Sequence, residues 1–262
     1  MPEMTEYPHG TFCWVDLATS DAEGAKHFYS QLFDWNAHDL PTVTGTYTMF
    51  DRGGKRVSAM YTLSDEMREQ GVPPHWMSYL SVRHADECAD MATRLGGTVL
   101  APPYDVMEAG RMALVQDPTG AVFAVWQPKQ HHGAGLVNEP GSLCWNELYT
   151  KDLEAAARFY AALVGWAPKK STGAAGQEYT EFHSGDRLAA GMIEIQDDWG
   201  VMPPNWAVYF AVADCEAALE KAKTLGGRVE VPAMDIEGVG RFAFLQDPQG
   251  AYFAVIEIRR QE

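Results

Sequence analysis

The chain has 262 residues, 46% of them hydrophobic and 21% charged, a globular composition whose longest apolar runs are far too short to cross a bilayer. Thirty-six acidic against 20 basic residues give a net charge of −16, which argues against nucleic acid as a partner and mildly favours neutral or cationic ones. No basic-then-apolar leader opens the sequence, so a cytoplasmic location is expected.

Residues 1–9 are polar and read as a loose N-terminal arm. "FCWVDLAT" reads as a strand, and Ser20, Asp21, Ala22 and Glu23 form a capping-box pattern at a helix start. Ala22, Ala25, Phe28, Tyr29, Leu32 and Phe33 then recur at helical spacing, which marks a core-facing stripe. "TYTMF" and "RVSAMYT" are strand-like runs joined by "DRGGK", a hairpin signal. The plan restarts with "WMSYLSV" as a strand, 86–95 as a helix closed by Gly96 and Gly97, and "TVLA" as a strand. "RMALVQ" and "VFAVWQ" follow, joined by Asp117, Pro118, Thr119 and Gly120, which suit a type I turn. Residues 129–140 lie in a stretch without apolar period and rich in Gly, Pro and polar residues, which reads as a surface linker.

The same text then returns. "CWVDLATSDAEGAKHFYSQLFDW" is echoed by "CWNELYTKDLEAAARFYAALVGW", "VPPHWMSYLSV" by "MPPNWAVYFAV", "RLGGTV" by "TLGGRV", and "GRMALVQDPTGAVFAVW" by "GRFAFLQDPQGAYFAVI", at spacings of 130 to 132 residues. Two homologous domains follow, over 10–128 and 141–262, each large enough for a core of its own and each holding two βαβββ units. The fold class is α+β.

The four cysteines contain no C-x-x-C pair and read as reduced thiols acting as small hydrophobes. His75, His84, His27, His38 and His183 find no matching His in the other half; they and the linker pair His131 and His132 read as surface residues. Arg111 and Arg241, each after a Gly before a strand, could anchor an anionic substrate, although a strand-end Arg more often stays solvated.

The strand leading into "D-x-x-A-x-x-F-Y" with its following Trp, the "LGG" helix end and the "DP-x-G-x-x-F" hairpin, met twice in one order, resemble the vicinal oxygen chelate superfamily of glyoxalases, extradiol dioxygenases and bleomycin-resistance proteins. The resemblance implies four βαβββ modules whose mixed sheets curl in pairs into cups, with a divalent metal in each. Mapped through the shared motifs, the implied ligand positions fall on Trp14 and Trp145, on Met77 and Ala207, and on Ala124 and Ala254. An indole has no free lone pair and a methyl group offers nothing, so no metal site and no cofactor is expected. Glu194 is the one carboxylate placed near a fourth position.

Strand alternation puts Asp16 on the face of Trp14, and Glu147 and Tyr149 on the face of Trp145. It turns Tyr209 toward the cup, Tyr79 by repeat symmetry, and adds Ala124 and Trp126 in one half and Ala254 and Tyr252 in the other. The expected ligand-binding residues are thus Trp14, Trp145, Met77, Trp126, Ala124, Ala254, Tyr149 and Tyr252, for a flat aromatic or hydrophobic molecule in a resistance, sequestration or secondary-metabolite role. Asp16, Glu147, Tyr79 and Tyr209 are the candidates for acid–base catalysis if the protein is instead an enzyme: a lyase, isomerase, glyoxalase-like protein or hydroxylase/dioxygenase, metal-free or with an atypical metal site. A protein-contact role would leave the cups dry and filled. The expected partner is a small molecule, and the expected state a monomer or homodimer.

Overall fold

A computed structural model describes residues 3–42, 45–173 and 176–259. The first half runs β1 (Thr11–Thr19), α1 (Ala22–Phe33), β2 (Asn36–Thr42), β3 (Gly45–Arg52), β4 (Lys55–Thr62), a short α2 (Asp65–Glu69), β5 (His75–Ser81), α3 (Ala85–Arg94), β6 (Thr98–Val106), β7 (Gly110–Gln116) and β8 (Val122–Pro128). The second repeats it with β9 (Leu143–Thr150), α4 (Leu153–Val164), β10 (Ala167–Thr172), β11 (Glu178–Ser184), β12 (Arg187–Glu194), β13 (Asn205–Ala211), α5 (Cys215–Thr224), β14 (Arg228–Ile236), β15 (Gly240–Gln246) and β16 (Tyr252–Ile258). Each half forms one eight-stranded sheet, in the order β2-β3-β4-β1-β5-β8-β7-β6 and β10-β11-β12-β9-β13-β16-β15-β14. The seam between the two βαβββ modules of a half is the antiparallel pair β1/β5 or β9/β13, so each cup is built within one half.

The helix starts differ from the capping-box reading by one residue. Asp21, with an extended backbone at φ −138°, is the N-cap and accepts from the Gly24 amide at 3.1 Å; Asp152 does the same for Ala155 at 2.9 Å. The stripe on α1 is buried as expected at Ala25, Phe28, Tyr29, Leu32 and Phe33. Burial of each such large side chain stabilises the fold by about 1.5–3 kcal/mol.

The cores do not respect the halves. One buried cluster joins α1 and the first module (Phe28, Tyr29, Trp35) to the last module (Phe210, Leu219, Phe253), and another joins the second module (Ala89, Phe123) to the third (Phe159, Tyr160, Trp166). A helix covers one face of its own sheet and leaves its outer flank for the partner half, so the helix-side core is shared, while the buried clusters on the cup side each stay within one half.

Polar anchors cross in the same way. The Tyr29 hydroxyl donates to Asp247 Oδ2 at 2.9 Å and accepts from Trp76 Nε1 at 3.0 Å; Tyr160 donates to Asp117 Oδ2 at 2.8 Å and accepts from Trp206 Nε1 at 2.8 Å. Trp35 Nε1 donates to Gly141 O and Trp166 Nε1 to Gly10 O, at 2.7 and 2.8 Å. The Tyr, the Trp and the hairpin Asp of the repeated motifs are therefore contacts between halves.

The joining segment is more than a surface linker. Ala134 and Gly135 are buried, the Ala134 amide donates to Cys13 O at 2.8 Å on β1, and Trp126 Nε1 donates to His131 O at 2.9 Å. Gly133 sits at φ +126°, and a Cβ there would lie 2.4 Å from Cys13 O, so only glycine lets the strap approach β1 this closely. The N-terminal arm is tied to it: Tyr7 donates to Ala134 O at 2.6 Å and the Met4 amide to Gly135 O at 3.0 Å. No described helix is long and apolar enough to cross a membrane. All four cysteines are free thiols.

Candidate functional site

In the first cup the floor is a row of three strands: Trp14 on β1 pairs with Tyr79 on β5, and Tyr79 with Ala124 on β8. One step along, Asp16 lies between Met77 on β5 and Ala59 on β4. Asp16 is 2% exposed, and its Oδ2 accepts from Tyr79 at 2.8 Å and Tyr47 at 3.0 Å, while Oδ1 is buried with no hydrogen-bonding partner. Loss of water raises its pKa to about 7, against the pull of the two phenols. Burial, and then the Asp16 charge, push Tyr79 and Tyr47 well above the ordinary phenol range, so both remain donors.

Aromatic walls surround that carboxyl group. Trp14 Nε1 points to the Tyr47 hydroxyl at 3.4 Å, Trp126 meets Tyr79 edge-on at 6.2 Å between centroids, and the His131 ring meets Trp14 edge-on at 4.5 Å. Met77 and Ala124 are buried in the same cluster.

The second cup repeats the plan with its polar groups satisfied. Trp145, Tyr209 and Ala254 form the corresponding row. Glu147 accepts from Tyr209 and Tyr149 at Oε2, both at 2.6 Å, and from Tyr179 at Oε1 at 2.7 Å. Trp145 Nε1 donates to Tyr179 at 3.2 Å. Tyr149 stands where the first cup has Ala18, and this exchange is the physical difference: a third phenol reaches the carboxylate in one cup and a methyl group in the other.

Gly191, on β12 beside Glu147, permits the second arrangement, because a Cβ there would lie 1.7 Å from the Tyr179 hydroxyl. Gly191→Ala is expected to push Tyr179 off Glu147 and to cost about 1–3 kcal/mol, as one buried acceptor loses its donor and the ring is displaced. Urea unfolding of the variant measures this; an unchanged midpoint would mean the ring relocates without loss.

Most of the residues expected in the cups lie there, but some do not. Tyr252 is 56% exposed at the start of β16, outside both carboxylate clusters. Met77 is in register with Asp16 rather than Trp14, so the phenol of Tyr79, not a thioether, completes the floor row. Glu194 alternates with Gly191 and Ile193, projects from the other face and is exposed. Arg111 is paired with Asp86 at 2.7 Å and Arg241 with Glu216 at 2.6 Å, both outside the cups. Sequence reasoning missed Tyr47 and Tyr179, which occupy equivalent positions in "TYTMF" and "EYTEF", and that equivalence was the available signal. It also set aside His131, which has no equivalent in the repeat.

The residues do not fit a metal ion at either centre. The floor rows present an indole N–H donor, a phenol already committed to a carboxylate and a methyl group, and among the described residues no three His, Cys, Asp or Glu side chains group closely enough to hold one.

Known proteins share this architecture. The model of the Glyoxalase/Bleomycin resistance protein/Dioxygenase superfamily matches residues 11–125 and 138–255. The chain is 42% identical to "Putative glyoxylase CFP32" of Mycobacterium tuberculosis over 100% of both chains. It is 38% identical to the anthracycline biosynthesis protein DnrV of Streptomyces peucetius, over 98% of this chain and 96% of that one. Among solved structures, the 2,3-dioxygenase LapB from Pseudomonas sp. KL28 superimposes with a TM-score of 0.66 at 13% identity, covering 97% of this chain and 94% of that chain. The Mn(II)-bound glyoxalase from Novosphingobium aromaticivorans does so with a TM-score of 0.65 at 12% identity, covering 98% and 83%. With both halves matched and full-length relatives at this identity, the chain belongs to the Glyoxalase/Bleomycin resistance protein/Dioxygenase superfamily, two of whose domains it carries in tandem.

Proposed function

We propose that the protein binds a small aromatic or hydrophobic organic molecule in the first cup, through side chains rather than a metal ion. The observation that carries this reading is Asp16 Oδ1, a buried oxygen without a partner set in a floor of Trp14 and Tyr79. A buried polar atom left unpaired costs about 1–3 kcal/mol, so a ligand that donates to it recovers that energy on binding. Trp14 and Trp126 are 3% and 4% exposed, so a flat ring would pack on these indoles in place of contacts they now make. Similarity to a protein of anthracycline biosynthesis supports a fused-ring aromatic as the ligand class. Glu147, with three phenols already on it, has no comparable need, and the second cup acts as structure.

Titration with a panel of polycyclic aromatics, followed by tryptophan emission, tests this. Saturable quenching is expected with the native protein, weakened about tenfold by Asp16→Asn and little changed by Glu147→Gln. Emission that stays flat across the panel, or a loss confined to Glu147→Gln, would remove the proposal.

A second reading, metal-free acid–base catalysis, is favoured by one specific observation: a carboxyl group with its pKa near 7 hydrogen-bonded at 2.8 Å to a phenol. Asp16 would take a proton from a bound substrate in an isomerisation or lyase step, with Tyr79 as donor. Product formation from a bound aromatic that ceases in Asp16→Asn, under saturating conditions, would establish catalysis over simple binding.

A further inference from the structure

The first cup contains a second buried polar atom without a partner. His131 Nε2 is enclosed and makes no hydrogen bond, while Nδ1 of the same ring lies 3.5 Å from Arg56 Nη1. A guanidinium can only donate, so Nδ1 is the acceptor, and the neutral ring carries its hydrogen on Nε2. Burial first, and then the Arg56 charge, push the imidazole pKa down to about 4, which keeps the ring neutral.

Backbone contacts hold His131 at the cup together with the Arg56 contact to its ring. Trp126 Nε1 fixes its carbonyl at 2.9 Å, the strap beyond it is bonded to β1, and the ring rests edge-on against Trp14. The cup therefore offers an unpaired donor at His131, whose ring rests on Trp14, and, once the Asp16 carboxyl is ionised above about pH 7, an unpaired acceptor at Asp16, two residues from Trp14 on the same strand. Asp16 and Trp14 alone stand about 7 Å apart along the strand, which suits more than one fused ring.

We infer that the segment joining the two halves supplies a specificity residue of the first cup, and that the cup takes a hydroxylated aromatic carbonyl compound whose O–H donates to Asp16 Oδ1 and whose C=O accepts from His131 Nε2. This rests on the ligand-binding reading above and adds the donor–acceptor pattern of the ligand. Anthraquinones with a free hydroxyl have that pattern. An aromatic with the hydroxyl alone leaves the imidazole donor unpaired, and one with the carbonyl alone leaves the carboxylate unpaired.

Three probes decide it: a hydroxyanthraquinone with its hydroxyl remote from the carbonyls, a hydroxyanthracene, and anthraquinone. The native protein is expected to bind the first about tenfold more tightly than either of the others. His131→Phe, which keeps a ring against Trp14, should bring the hydroxyanthraquinone down to the affinity of the hydroxyanthracene and leave the hydroxyanthracene unchanged. His131→Gln, which retains an N–H donor, should recover part of the loss. Equal binding of hydroxyanthraquinone and hydroxyanthracene by the native protein, with Asp16→Asn still weakening both, would overturn this inference and leave the ligand-binding reading in place. If none of the three binds to the native protein, both fall.

Discussion

Asp117→Ala is expected to lower the stability of the whole protein by about 3–5 kcal/mol, as a single cooperative transition that includes both halves. Asp117 Oδ1 accepts from the amides of Thr119, Gly120 and Ala121, at 2.8, 2.9 and 3.1 Å, and Oδ2 accepts from Tyr160 at 2.8 Å. Alanine would strand the buried Ala121 amide and the buried Tyr160 hydroxyl together, each at about 1–3 kcal/mol, and would loosen a turn that closes β7 on β8. Asp247→Ala should behave alike, since Asp247 accepts from Gln249, Gly250, Ala251 and Tyr29. Tyr160→Phe, which removes only the hydroxyl, should cost less, on the order of 1–2 kcal/mol. Chemical denaturation followed by near-ultraviolet circular dichroism measures all three; two separated transitions in Asp117→Ala would show that the halves are not coupled through this pair.

Between about pH 4 and pH 7 the stability of the native protein should carry a downward contribution from Asp16 as pH rises. Its folded-state pKa lies near 7, above the ordinary carboxylate value of about 4 that it regains on unfolding. In that window the folded state holds a proton that the unfolded chain releases, so the contribution is complete below about pH 4 and is gone once pH exceeds the folded value. The loss is on the order of a few kcal/mol. Asp16→Asn has no proton to lose, and the difference in unfolding free energy between native protein and variant, measured from pH 4 to 8, should therefore change with that slope. A difference independent of pH would place the Asp16 carboxyl in an ordinary, ionised state. The phenols that feel its charge, Tyr47, Tyr61, Tyr79 and Tyr104, are all pushed above the ordinary phenol value and do not titrate in this window.

Much of this architecture was legible in the sequence because it is written twice. Repetition marked the halves, two-residue alternation put Trp14 with Asp16 and Trp145 with Glu147, and the buried run of Trp206, Val208 and Phe210 turned Tyr209 the other way. Local pattern carries no information on partners far along the chain, 218 residues for Tyr29–Asp247 and 43 for Tyr160–Asp117, which is why both bonds were invisible. The strap was misjudged for a related reason: Ala134 and Gly135 are buried by backbone approach rather than by an apolar face, and that leaves no periodicity to read. Tyr252 shares the face of Ala254 but is 56% exposed, because alternation gives the face of a strand and not the depth at which a residue lies along it.

The reciprocal tyrosine–aspartate bonds are those that two identical subunits would make around a twofold axis, here drawn along one polypeptide. In a symmetric pair, the residue at the Ala18 position and the residue at the Tyr149 position would be encoded once and would have to change together. Joined end to end, they are separate codons. One concavity can then carry a tyrosine that completes the hydrogen bonding of its carboxylate, while its twin keeps a carboxylate oxygen unpaired, without either arrangement constraining the other.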